Sequence, residues 1–196
     1  MESDDALLRR VKAELRKRMR GLRKVAPADA CAARSAAIVA RLQELECMQN
    51  ARTVALFAAI TERHEVDTAA LDAALVARGV RVAYPAIDPD TRVMTFRFAP
   101  LASLEERGLG FREPAPDAET ATALDVVVVP ALAVAPSGHR LGYGAGFYDR
   151  ALPSVCPPGV AVAVAYDWQL LAEVPVTEGD VATSWIVTDT RTLRAE

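Results

Sequence analysis

Apolar residues recur at spacings of three and four near the start of the chain, where Leu8, Val11, Leu15, Met19 and Leu22 form one stripe. This is the period of an amphipathic helix, predicted over residues 5–25. Lys12, Arg16, Arg20 and Arg23 follow on an adjacent stripe, because steps of four, four and three keep side chains on one helical face. An Ala-rich segment opened by Pro27 predicts a second helix over residues 28–46, with Ile38, Leu42 and Leu45 inward. The pattern then changes. Val54–Phe57 is a short apolar run suited to a buried strand, and Asp67 is placed to N-cap a helix that runs to Arg78 and stops at Gly79. Val80–Tyr84 predicts a strand ended by Pro85, and Met94, Phe96 and Phe98 alternate as a half-exposed strand does. Residues 99–124, rich in Pro, Ala and Glu, predict a long connection with little regular structure. Val126–Val129 is an unbroken β-branched run, the pattern of a strand covered on both faces. A glycine-rich loop follows, then a short helix from about Phe147 and a strand over Val160–Ala165. Strands alternating with helices predict an α/β fold, a layered sheet with helices on both faces, in a single domain over residues 1–196.

Composition narrows the picture. A chain of 196 residues buries a core without disulfides or structural metal, and 52% hydrophobic with 25% charged residues excludes a disordered chain. The formal net charge of −3 argues against a nucleic-acid binder, yet the cations are concentrated: Arg9, Arg10, Lys12, Arg16, Lys17, Arg18, Arg20, Arg23 and Lys24 all lie on the first helix. Cys31, Cys47 and Cys156 are widely spaced, odd in number, and form no cluster with His64 or His139, so the expectation is a reducing compartment and no zinc site. No apolar run reaches about 18 residues and the N-terminus is charged, which predicts a cytoplasmic address and no membrane partner.

The candidate chemistry is concentrated in Arg140-Leu141-Gly142-Tyr143-Gly144-Ala145-Gly146-Phe147-Tyr148-Asp149-Arg150. Glycines at alternate positions let a backbone adopt positive φ and approach a ligand closely, and successive amides in such a loop can form an anion-binding nest. Arg140 adds a permanently charged donor fork suited to phosphate. No Gly-Lys-Ser/Thr follows, so this is not a Walker loop, and the spacing is not that of a dinucleotide fingerprint. Three aromatic side chains beside three glycines exceed what a plain surface turn needs.

This segment resembles the motif of the 5-formyltetrahydrofolate cyclo-ligase family, roughly R-L-G-[YFR]-G-[GK]-G-[FY]-Y-D. Other matches occur in order along the chain. Lys12-Ala13-Glu14-Leu15-Arg16 resembles the family's K-x-x-L-R element, His64-Glu65-Val66-Asp67-Thr68 its E-[VI]-[DE]-T segment, and Gly110-Phe111-Arg112-Glu113-Pro114 its G-[IF]-x-E-P stretch. Ala165-Tyr166-Asp167-Trp168-Gln169 and Val174-Pro175 resemble its carboxy-terminal elements. The resemblance implies a fold related to phosphosugar isomerases and CoA-transferases. It also implies a ligase that uses ATP and Mg²⁺ to close 5-formyltetrahydrofolate to 5,10-methenyltetrahydrofolate, with no obligatory protein partner.

On the same resemblance Lys12, Arg16 and the loop Arg140, Leu141, Gly142, Tyr143, Gly144, Ala145, Gly146, Phe147 and Tyr148 meet ATP. Ala58, Glu65 and residues Tyr143–Phe147 meet the folate, and Asp149 and Asp180 hold the metal. Taken without the resemblance, the sequence favours a solvated helix face for Lys12 and Arg16, Asp149 fits a first-turn carboxylate as well as a ligand, and Asp180 is a turn residue. Glu62 rivals Glu65 as the folate carboxylate, because the interval from Phe57 to Glu65 is longer than the family pattern by about two residues. Ala145 stands where relatives carry Gly or Lys, leaving phosphate charge to Arg140, Lys12 and Arg16, and Ala135 stands where Asp or Asn is common. Ala26 replaces a frequent capping Ser, a change worth roughly 1 kcal/mol of local stability. A phosphosugar isomerase or CoA-transferase chemistry would need an acid/base pair or a nucleophilic glutamate that the loop lacks. The other rival is a non-catalytic domain that binds folate or RNA through the basic helix, and the intact Arg140, Gly142, Gly144, Gly146 and Asp149 speak against it.

Overall fold

The computed structural model describes residues 4–196. In chain order its elements are α1 (Asp4–Val25), α2 (Ala28–Glu44), α3 (Glu46–Gln49), β1 (Thr53–Ala55), α4 (Ala69–Ala77), β2 (Arg81–Ile87), β3 (Met94–Phe98), β4 (Glu105–Glu106) and β5 (Arg112–Glu113). There follow β6 (Val126–Pro130), β7 (Ala133–Val134), β8 (Arg140–Leu141), α5 (Phe147–Ala151), β9 (Val160–Val164), β10 (Trp185–Val187) and β11 (Thr192–Arg194). Seven strands form one sheet in the order β11-β10-β9-β6-β1-β2-β3. The five central strands are parallel, and β3 and β11 close the edges antiparallel.

Successive strand residues serve opposite faces. Val54, Val126, Val128, Val162 and Val164 pack with Ile38 and Leu42 of α2 and Leu71 and Leu75 of α4. Ala55, Val127, Val129 and Ala161 pack on the other side with Ala151, Leu152 and Val155. The α/β layering predicted from sequence is therefore the fold observed. Strand β1 leads to β2 on one side while β6 leads to β9 on the other, so β1 and β6 flank the point where the winding reverses. Open α/β sheets bind ligands beyond the carboxyl ends of the strands at such a point.

Several expectations need correction. The second helix breaks at Leu45, whose backbone is extended (φ −64°, ψ 130°), and resumes as α3. Its N-cap is Pro27, with no side-chain cap, so Ala26 does not occupy the capping position. Strand β2 does not end at Pro85 but continues to Ile87, paired with β3. Pro85 is tolerated because its missing N–H would face the side where β1 has already ended: the β1 register stops at Ala55 opposite Ala83. The connection over 99–124 contains the small β4–β5 hairpin. Strands β7, β8, β10 and β11 are too short to leave a periodic trace.

Helix α1 is turned differently from its apolar pattern. Val11 and Leu22 are exposed, whereas Lys12 and Arg23 are only 5% and 4% exposed. Met19 anchors the helix, packing with Leu132, Leu141 and Val174 and with neighbouring Leu15. That seat turns the cationic stripe of Lys12, Arg16 and Arg23 inward and leaves Arg20 in solvent.

Candidate active site

A cavity of about 820 Å³ opens beyond the carboxyl ends of β1, β2 and β6, within the range of small-molecule sites. Lys12, Arg16, Ala58, Glu65, Asp149, Asp180 and the whole segment Arg140–Tyr148 line it. Residues scattered over most of the chain thus meet in one place. Glu62, the rival carboxylate, is exposed and does not line the cavity.

One wall is charged. The Lys12 ammonium pairs with the Asp180 carboxylate and donates to Thr177 Oγ1 at 2.7 Å. Asp180 also accepts the Thr177 amide at 2.7 Å. Burial works to raise the Asp180 carboxyl, but the Lys12 ammonium and the Thr177 donors outweigh it and hold the group below the usual range. Arg140 has a side chain only 4% exposed and donates to the Val181 carbonyl at 2.5 Å and to Asp149 at 3.0 Å. Asp149 in turn accepts the Val181 amide at 3.2 Å. Each carboxylate expected to face a metal is therefore paired with a cation expected to face phosphate. Arg16 donates to the Gly142 carbonyl at 2.9 Å. Burial and Arg20 push its guanidinium pKa down while Asp180 and Asp149 act in the opposite direction; a guanidinium stays cationic regardless.

The glycine loop departs in detail from its sequence reading. Gly144 (φ 110°) and Gly146 (φ 65°) adopt positive φ, whereas Gly142 does not. A Cβ on Gly144 would make only an ordinary contact, 3.5 Å from the Arg16 guanidinium carbon, so it is the positive φ rather than crowding that calls for glycine here. Helix α5 has five residues, so the loop itself rather than a long helix shapes this end of the cavity.

Glu65, also lining the cavity, is 8% exposed. Its Oε2 accepts the Ile60 amide at 2.9 Å and its Oε1 accepts the Tyr143 hydroxyl at 2.7 Å. Each oxygen keeps a lone pair for a ligand N–H. Burial and then Glu65 push the phenol pKa of both Tyr143 and Tyr148 up, so both remain protonated donors at neutral pH. Pro85, Ile87, Met94, Leu109 and Phe111 add an apolar wall that the sequence reading did not assign. Also missed were Thr177, Arg63 and Arg23; for Arg23 the only trace in the sequence is its place on the cationic stripe.

The sequence profile described as the 5-formyltetrahydrofolate cyclo-ligase family matches residues 9–189. The chain belongs to that family. It is thereby a ligase enzyme. It is similar to the 5-formyltetrahydrofolate cyclo-ligase of Escherichia coli, 33% identical over 150 residues that cover 72% of this chain and 80% of that one. A shorter match to the enzyme of Mycolicibacterium smegmatis is 48% identical over 85 residues, 42% of this chain and 44% of that protein. The solution structure of Aquifex aeolicus 5,10-methenyltetrahydrofolate synthetase superimposes with a TM-score of 0.81 at 27% identity, covering 94% of this chain and 92% of that chain. A synthetase from Mycoplasma pneumoniae shares the fold, with a TM-score of 0.73 at 22% identity.

Proposed function

We propose that the chain closes 5-formyltetrahydrofolate to 5,10-methenyltetrahydrofolate with consumption of ATP. The observation that carries this reading is the joining, in one cavity of a cyclo-ligase family member, of a cation wall, a glycine loop and a buried carboxylate. The formyl oxygen attacks the γ-phosphorus of ATP and ADP leaves. The folate N10 then attacks the activated formyl carbon, its proton is lost, and phosphate departs with the former formyl oxygen. Lys12, Arg16 and Arg140 hold the phosphates and stabilise their charge, which is most of what phosphoryl transfer asks of a protein. The backbone of Gly142–Gly146 approaches the transferring group. Glu65 accepts N–H groups of the pterin, and Ala58 with the apolar wall around Met94 and Phe111 takes the flat faces of the folate and excludes water.

Among the described residues no group of three or more His, Cys, Asp or Glu gathers as a metal site. Asp149 and Asp180 nevertheless suit Mg²⁺, which binds through one or two carboxylates and fills its shell with phosphate oxygens and water. When bound, the ion neutralises phosphate charge and fixes phosphate orientation. With Asp149 and Asp180 holding the ion, Lys12 and Arg140 would be left to meet phosphate oxygens. The test is the absorbance of methenyltetrahydrofolate on mixing protein, ATP, Mg²⁺ and 5-formyltetrahydrofolate. Full-rate conversion in EDTA without nucleotide, or none with every component present, rejects the proposal.

A further inference from the structure

We infer that Arg23, which does not line the cavity, is a positioning residue that fixes Glu65 for the folate through the hydroxyl of Tyr143. The inference rests on the proposed function, since it assumes that the carboxylate it positions receives 5-formyltetrahydrofolate.

Arg23 lies near the end of α1 and is 4% exposed, a costly place for a guanidinium unless its donors are used. Its Nη1 donates to the Tyr143 hydroxyl at 3.0 Å and its Nε to the His64 carbonyl at 3.2 Å. His64 Nδ1 returns a bond to the Arg23 carbonyl at 2.9 Å, and because a carbonyl only accepts, the proton is on that nitrogen. The residue before Glu65 is thus tied to α1 from both sides, with His64 in left-handed backbone (φ 47°).

The hydroxyl has one proton to give. A guanidinium can only donate, so the Arg23 contact uses the phenol oxygen as acceptor and turns its proton elsewhere. The acceptor it meets is Glu65 Oε1 at 2.7 Å. A phenol that accepts from a cation is also polarised into a better donor. The ring is held as well, with the Arg63 guanidinium 5.2 Å from its centre. One Glu65 oxygen is therefore set by the Arg23–Tyr143 chain and the other by the Ile60 amide. The carboxylate enters the cavity with its orientation and acceptor sites fixed before the folate arrives. Tyr143→Phe removes only the hydroxyl and keeps the ring that the Arg63 guanidinium faces.

A structural role for Arg23, docking α1 onto the His64 loop, predicts different behaviour. The measurement is calorimetric titration of 5-formyltetrahydrofolate, without nucleotide, into wild type, Arg23→Gln, Tyr143→Phe and the double variant. Each single change weakens folate binding roughly tenfold, the worth of one hydrogen bond to a charged group. The double variant binds no worse than Tyr143→Phe alone, because the second change removes a link already broken. ATP affinity stays within about twofold of wild type in Arg23→Gln. Additive losses in the double variant, or unchanged folate affinity in either single variant, overturn the inference. If Arg23→Gln does not fold, Arg23→Lys replaces it in the same cycle, and a loss of equal size with Tyr143 and with Phe at 143 overturns the relay. Failure of the wild-type protein to bind 5-formyltetrahydrofolate at all would reject the proposed function instead.

Discussion

Lys12 and Lys17 lie on one helix, the first buried against the cavity and the second exposed to solvent. Changing either to Met removes one positive charge at similar helix propensity, so the pair separates a bound cation from a diffuse field. If the Lys12 ammonium holds a phosphate oxygen, its removal costs the ~1.5–3 kcal/mol of a charge-assisted hydrogen bond, or about one to two decades in ATP Kd. Lys17 faces water, where salt screens charges more than about 8 Å apart, and its loss changes Kd by about twofold or less. Calorimetric titration of Mg-ATP at physiological salt reads both. Thermal melts add a second criterion, because Lys12 also supports Asp180. The Asp180 carboxyl is depressed in the fold, so its favourable interactions are fully present above its unfolded pKa of about 3.9 and lost as pH falls through its lower folded value. The stability gap between wild type and Lys12→Met is therefore open at neutral pH and narrows in acid. Equal losses of ATP affinity at both lysines, or a gap that does not change with pH, would refute the reasoning.

Asp180→Asn releases Lys12 from its ion pair, so ATP affinity in EDTA rises about threefold, the ~0.7 kcal/mol of a partly exposed pair, while the gain on adding Mg²⁺ shrinks; weaker binding in EDTA would count against the pairing. Glu65→Gln weakens 5-formyltetrahydrofolate binding roughly tenfold and Glu62→Gln leaves it unchanged, which equilibrium dialysis with the labelled folate distinguishes. Gly144→Ala forces a strained positive φ on an L side chain, at a cost of about 1–3 kcal/mol, whereas Gly142→Ala has ordinary φ, meets nothing within 4 Å and costs less than about 1 kcal/mol. Melting temperatures of the two variants that fall equally would remove the special place given to Gly144.

The layered α/β fold was legible because its strands announce themselves by burial on both faces: Val126–Val129 has no polar position to break the run. The cavity residues were legible through the family motif rather than through periodicity. What the sequence concealed has specific causes. Helix α1 has two competing stripes, and the apolar one lost its claim at Val11 and Leu22, since Met19 rather than either of them found the pocket made by Leu132, Leu141 and Val174. Pairing of Lys12 with Asp180 and of Arg140 with Asp149 joins residues far apart or across a loop, and no local pattern encodes such partners. The partners also change what Arg140 means. With its side chain nearly buried and bonded to Val181 and Asp149, it also holds the loop to its neighbours, so its removal costs stability whatever it contributes to binding phosphate.

The cavity owes its existence to the shortness of β1. That strand stops at Ala55, while β2 beside it runs on to Ile87 with β3 as its remaining partner. Beyond Ala83 the β1-facing side of β2 has no strand to satisfy it. Two residues solve the deficit in different ways. Pro85 has no N–H to leave unpaired. Ile87 does, and its amide is met at 2.7 Å by the Glu113 carboxylate reaching from β5. Glu113 is 3% exposed, and burial pushes its carboxyl up even though the amide bond favours the charged form. The connection over 99–124 is therefore part of the site's construction: its β4–β5 hairpin completes the hydrogen bonding of β2 and presents Leu109 and Phe111 to the cavity. The unpaired edge of β2 thus borders the cavity at Pro85 and Ile87, with Ala58 just beyond the end of β1.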